Sequence, residues 1–193
     1  MSSQEQPSMI NYAMNFGLVV GMYYILKFCL FPMSLRSTVA GMLFIGLTLV
    51  VPLLVYRLTR LYRDRYMDGN VTFVHALAFA MLTMAFGSLL ASVAHYIYFA
   101  FIDEGMMVGA LEQSIEQMVA LLSAENMPEG VAVQDVSVDD YITMLRTTVT
   151  QIEAMSPIDM TIGMLSNNVS WSIIVALPVA LFVSYRKPKQ EKS

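Results

Sequence analysis

Six polar side chains lie in or beside long apolar runs, and they are the residues that could do chemistry: Lys27, His95, Asp103, Asp159, Asn167 and Asn168. An ionisable group at membrane depth is costly, so each charged one is a functional candidate by default. The plainest account of Lys27 is that its ammonium reaches the nearby interface along its own aliphatic stem. The sharper expectation is a salt bridge from Lys27 to Asp103 or Asp159 at the same membrane face. His95 could respond to protons in a polar pocket. A histidine in such a place more often hydrogen-bonds a neighbouring helix, and that is the expectation here. Asn167 and Asn168 carry amides able to bond across a bundle. His75 and His95 are twenty residues apart, roughly 30 Å along one helix, too far to share a metal.

No motif turns these residues into a reaction centre. The chain has no HExxH, no GxSxG, no phosphate-binding loop and no Cys/His ligand cluster. EF-hand spacing is absent from its acidic stretch. No catalytic residue, metal or cofactor is therefore assigned. The single cysteine, Cys29, excludes an intramolecular disulfide.

What must position the six residues is a set of membrane helices. Of the 193 residues, 56% are hydrophobic and 13% charged, with a mean hydropathy of +0.58. A soluble domain carries charge on about a quarter of its residues. The charges that remain are segregated. Eleven of the fifteen acids fall within 103–159, where Arg146 is the only base. The bases cluster at Arg57, Arg60, Arg63 and Arg65 and again in 186–192. Such segregation is topology, not a nucleic-acid surface.

The fold class expected is all-α: an integral membrane four-helix bundle with an extracytoplasmic acidic helical pair between the third and fourth spans. The short polar segment 1–10 lacks a positive n-region and a cleavage site, so the first span is read as retained. Spans are expected at 11–31, 37–56, 73–102 and 160–185, each meeting the ~20 residues a crossing needs. Pro32 to Ser37 is read as a tight turn. Residues 57–70 are read as an amphipathic connection with Tyr56, Tyr62 and Tyr66 at headgroup level, ended by Asp68-Gly69-Asn70. Thr72 is placed to cap the third span. The two basic clusters put both termini in the cytoplasm. Gly17 and Gly21 form a GxxxG pair, expected to pack within the chain rather than between copies. Gly87 and Ala91 continue a small-residue stripe from Ala80 through Met84 to His95. Tyr96, Tyr98, Phe99 and Phe101 read as an interfacial aromatic belt. The segment 103–159 reads as two amphipathic helices. The first has Val108, Leu111, Ile115, Met118, Val119 and Leu122 on one face and is ended by Met127-Pro128-Glu129-Gly130. The second is capped by Ser137 and Asp140 and has Val138, Ile142, Leu145, Val149 and Ile152 inward.

Certain stretches, in order, carry a resemblance. They are Gly17xxxGly21, Tyr62-Arg63-Asp64, Gly69-Asn70-Val71-Thr72-Phe73, and Tyr96-Ile97-Tyr98-Phe99-Ala100-Phe101-Ile102-Asp103. With the acidic segment and basic tail that follow, the chain resembles the four-span bacterial membrane proteins of domain-of-unknown-function family 4199. Glu104 stands where that family leads one to expect proline. The resemblance implies a bacterial inner membrane and no activity.

Three functions are weighed, of which the third, an intramembrane enzyme, would have to rest on residues that no motif marks. In the first, the protein is a non-enzymatic interaction or assembly component. Its outward acidic helical pair docks a protein partner, or its small-residue faces form a homo-oligomer in the bilayer. In the second it is a small transporter or channel subunit with an outward-facing polar pocket near His95 and Lys27. The first is the leading expectation.

Overall fold

The computed structural model describes residues 8–123 and 138–185. Six helices follow one another: α1 (Met9–Ser34), α2 (Thr38–Tyr66), α3 (Phe73–Phe101), α4 (Met106–Ser123), α5 (Val138–Glu153) and α6 (Pro157–Ser184). No strand occurs among the described residues. Helices α1, α2, α3 and α6 are each long and apolar enough to cross a membrane. This is a multi-pass membrane protein.

The helix ends follow from local chemistry. At the start of α3 the Thr72 hydroxyl accepts the His75 N–H at 3.3 Å, as its position suggests. At the start of α6 the Ser156 hydroxyl accepts the Asp159 N–H at 3.3 Å and donates to the Asp159 carboxylate. Pro157 fills the first helical position, where its missing N–H is no loss. The fourth span thus begins three residues before the expected boundary. Helix α1 runs through Pro32, which narrows the expected turn to residues 35–37.

The largest difference from expectation is in α2. The stretch read as a separate connection is helical to Tyr66, so α2 has 29 residues, about 43 Å at 1.5 Å per residue. Its arginines mark topology without ending the helix. The break comes where Asp68 and Gly69 turn left-handed, at φ 48° and 74°. Tyr62 is 3% exposed and faces inward, stacked on Phe79.

Helix α3 is the most buried of the four. It packs along α1 on one side and α6 on the other, and α2 closes the ring against α1 and α6. Gly17 and Gly21 set the α1–α3 approach. A methyl group at Gly17 would lie 2.6 Å from Phe86 Cβ, and one at Gly21 2.8 Å from Leu90. On the facing helix, a methyl at Gly87 would lie 2.8 Å from Val20. The GxxxG pair is therefore used inside the chain. Ala80, Met84, Ala91 and His95 continue the buried stripe of α3.

Helices α4 and α5 pack on each other and cover one end of the bundle. This end is called capped, and the end bearing Arg57 to Arg65 basic. Met107 and Ala110 are buried, and Ser114 donates to the Leu35 carbonyl at 3.1 Å. The buried face of α4 is turned slightly from the expected one, leaving Met118 38% exposed. On α5, Ile142, Leu145, Val149 and Ile152 are the shielded positions, as their spacing predicts. The expected break at Met127-Pro128-Glu129-Gly130, the Ser137 cap, the side chains of Leu122 and Val138, and the cluster 186–192 lie outside what is described. The belt residues divide: Tyr96 and Phe101 are exposed, whereas Phe99 is buried against Phe28.

Candidate functional site

The ring of helices is not closed equally along its length. In the basic half, α2 contributes Val51, Val55, Thr59 and Tyr62 to the interior, and α6 contributes Ala176, Val179, Ala180 and Val183. In the capped half, α2 has no buried residue from Gly41 to Val50, and α6 has none from Ile162 to Trp171. Over the same depth α1 buries Tyr24 and Phe28, and α3 buries Ala91, His95 and Phe99. The space left between these walls is a partly open cavity of about 280 Å³, beside the α2–α6 seam, the most loosely packed of the ring.

Four of the six polar residues singled out by sequence line this cavity: Lys27, His95, Asn167 and Asn168. They come from α1, α3 and α6 and lie up to 141 positions apart in the chain (168 − 27). The rest of the wall is apolar, made by Tyr24, Phe28 and Phe31 of α1, Phe44 of α2 and Met164 of α6. The helical period explains the convergence. Tyr24, Lys27, Phe28 and Phe31 fall three and four residues apart on one stripe of α1, and Met164, Asn167 and Asn168 do the same on α6. Those two stripes were visible in the sequence. Phe44, alone on an otherwise lipid-facing stretch, left no signal.

The polar groups in the cavity are not paired with one another. Among the described residues Lys27 forms no ion pair, which corrects the expected bridge to Asp103 or Asp159. Its ammonium lies 5.5 Å from the Tyr24 ring centroid and 5.3 Å from that of Phe44, within cation–π range of both. Neither acid is free to meet it. The Asp103 carboxylate is buried and accepts the Met107 N–H at 3.1 Å, opening α4. Asp159 is held in the cap of α6. A carboxylate beside a helix N-terminus has backbone donors and a favourable dipole within its own turn. Such a local partner is reached with less chain ordering than a distant lysine.

His95 is 3% exposed, and its Nδ1 has no hydrogen-bond partner. The expected bond to a neighbouring helix is not made. The imidazole instead lies against Phe28, ring centroids 4.2 Å apart. Asn167 and Asn168 likewise make no bond across the bundle. Buried polar groups are normally hydrogen-bonded, and His95 is the buried one of the four; Lys27 and Asn168 are half-buried and Asn167 is exposed. A cavity walled by one cation, one unpartnered imidazole and two unpartnered amides can receive a polar ligand.

The family model for a protein of unknown function, DUF4199, matches residues 15–184. The chain belongs to the DUF4199 family. That match runs from α1 to the end of α6 and includes every residue of the cavity wall. No curated protein and no solved structure matches the chain. Membership in DUF4199 therefore carries the four-span architecture and assigns no ligand to the cavity. Glu104 has φ 42°, a left-handed conformation closed to proline, and Gly105 follows at 81°.

Proposed function

We propose that this protein is a ligand-binding membrane protein, a small transporter or channel subunit, that takes a polar ligand into the cavity between α1, α2, α3 and α6. The observation that carries the reading is the convergence of Lys27, His95, Asn167 and Asn168 on one cavity without mutual pairing. The arginines at the basic end and the basic segment 186–192 favour a cytoplasmic basic end, so the cavity would open in the outer half of a bacterial inner membrane, with both termini inside. The reading is one of binding and involves no chemical step. It is tested by thermal unfolding of the detergent-purified protein against fractionated soluble and lipid extracts. A saturable rise in Tm that disappears in Lys27→Ala and His95→Ala supports it. No stabilising fraction from either extract overturns it.

A second reading, in which α4 and α5 dock a protein partner, has one observation in its favour. Met118 and Met144 are exposed on that pair, and exposed methionines suit adaptable protein contacts. Replacing 105–156 with a short linker, then recovering the tagged protein from native membranes, separates the two. A stoichiometric partner lost on replacement favours docking.

A further inference from the structure

The chemistry of the cavity wall narrows the class of ligand, given the binding reading above. The wall carries one formal charge, the Lys27 ammonium, and no carboxylate. The acids nearest in sequence to the wall, Asp103 and Asp159, are occupied at helix starts. Lys27 brings three N–H donors, Asn167 and Asn168 two each, and His95 one or two depending on its protonation. A donor-rich site with a net positive charge recognises an oxyanion.

The loosest seam of the ring adds a second constraint. It lies between stretches of α2 and α6 whose large side chains face outward. Leu43, Leu49 and Trp171 are 56%, 68% and 54% exposed, on helices that cross the membrane. A ligand entering there comes through the lipid side rather than through the covered end, where α4 packs over Leu35. The volume, about 280 Å³, is at the low end of the few hundred Å³ typical of small-molecule sites. It takes a headgroup and leaves a chain outside.

We propose that the cavity binds the phosphate or carboxylate headgroup of an anionic amphiphile, its apolar tail leaving between α2 and α6. Lys27 supplies the countercharge, and His95 and the amides of Asn167 and Asn168 fix the oxygens. Phe44 and Phe31 close over the stem of the headgroup.

The experiment titrates the full-length protein in a neutral maltoside detergent and reads Tm together with the emission of Trp171, the single tryptophan, one turn from Asn167 and Asn168. The probes are dodecyl phosphate, inorganic phosphate and dodecyltrimethylammonium. The expected result is a saturable rise in Tm and an emission change with dodecyl phosphate. The apparent affinity should fall roughly tenfold or more in Lys27→Gln, the size expected for a lost charge-assisted bond. Lys27→Arg should retain it. Asn168→Leu should weaken it severalfold, and serves if Lys27→Gln does not fold. If inorganic phosphate acts as well as dodecyl phosphate, the oxyanion site stands, its source is a soluble anion, and the lipid route is overturned. If the cationic amphiphile binds as tightly as the anionic one, or if Lys27→Gln and Asn168→Leu bind dodecyl phosphate like wild type, the anion inference falls while the cavity remains a binding site. If no probe binds but an extract fraction stabilises through Lys27 and His95, the ligand class is wrong and the function is not. If neither probes nor fractions bind, both fall.

Discussion

In the basic half of the bundle, Phe79 lies flat on Tyr62, ring centroids 3.9 Å apart, with Phe16 edge-on and the Tyr62 hydroxyl 3.0 Å from His75 Nε2. At the capped half, the same four helices enclose about 280 Å³ of space, with His95 buried and unpartnered on its wall. One half is filled with aromatic and small residues, and the polar groups it leaves without a partner, the Thr59 and Thr83 hydroxyls, are neutral and closely packed. The other is held open around a buried imidazole and a half-buried ammonium. Lipid tails are as apolar as the side chains of the core, so bundle stability in a bilayer comes from close packing and internal hydrogen bonds. The basic half supplies the close packing and the Tyr62–His75 bond. The capped half gives up packing around ionisable groups, and such a region is where function is to be sought.

The strongest test of this contrast removes one aromatic ring from each half. Phe79→Ala empties a fully buried stacked position and should lower unfolding stability by about 3–5 kcal/mol. Phe44→Ala, half-buried and already bordering the cavity, should lower it by about 1 kcal/mol. Thermal unfolding of both variants in one detergent reads the difference. Equal losses would mean the cavity wall is as structural as the core.

A smaller effect is expected from glycines. Gly87→Val forces its new side chain against Val20 at the α1–α3 crossing, and overpacking of this kind costs about 1–3 kcal/mol. Gly163, on α6 near the cavity, has nothing within 4 Å of where a methyl would sit. Gly163→Ala should be neutral or gain up to about 1 kcal/mol from helix propensity. Destabilisation by Gly163→Ala would show the capped half to be tighter than its geometry.

Next is the clamp at the basic end. The Arg63 guanidinium donates to the Val183 carbonyl at 2.7 Å, one of the orphan carbonyls at the end of α6, while pairing with Asp64 at 2.7 Å. Its side chain is 19% exposed. Arg63→Ala should lower stability by about 1–2 kcal/mol, and Arg63→Lys, which cannot reach carbonyl and carboxylate as a fork, should recover only part. Hydrogen exchange should show the last turn of α6 opening first in Arg63→Ala. Unchanged protection there would mean the half is held by packing alone.

How far the sequence could be read follows from which forces are local. The four spans were legible because a bilayer demands long uncharged helices, and the small-residue stripe of α3 because its period matches the helix. The stop at Asp68-Gly69-Asn70 was legible from its turn residues, and Asp68 and Gly69 are left-handed there. That α2 runs unbroken up to it was not, although arginines are good helix formers. Lys27, His95, Asn167 and Asn168 were legible as candidates because polar groups at membrane depth stand out. Their pairings were not. The cost of a lone buried charge argued for a bridge from Lys27 to Asp103 or Asp159, yet both carboxylates are engaged at their own helix starts, Asp103 by the Met107 N–H and Asp159 by the Ser156 hydroxyl. The Ser156-x-x-Asp159 pattern that claims Asp159 is the same kind of signal as the one expected at Ser137 and Asp140. It was in plain view beside Pro157.

The smallest expected effect is the one that separates function from structure most directly, because its sign differs between the halves. Substituting an apolar residue for a satisfied polar residue destabilises a fold. Substituting one for an unsatisfied polar residue relieves it. In the basic half, Tyr62→Phe removes the hydroxyl from His75 and should lower stability by up to about 1 kcal/mol. In the capped half, His95→Phe keeps a ring against Phe28, borders open space and removes the unpartnered Nδ1. It should raise stability by up to about 1 kcal/mol, as binding-site residues do when replaced for packing alone. Lys27→Met, which retains the stem and deletes an ammonium with no acid partner, should do the same. Both variants should at the same time lose any ligand-induced rise in Tm. Stabilised variants that no longer respond to ligand would mark these residues as kept for binding at the expense of the fold. A fall in Tm with His95→Phe and Lys27→Met would instead place them among the groups that hold the bundle together, and the two halves would differ in packing alone.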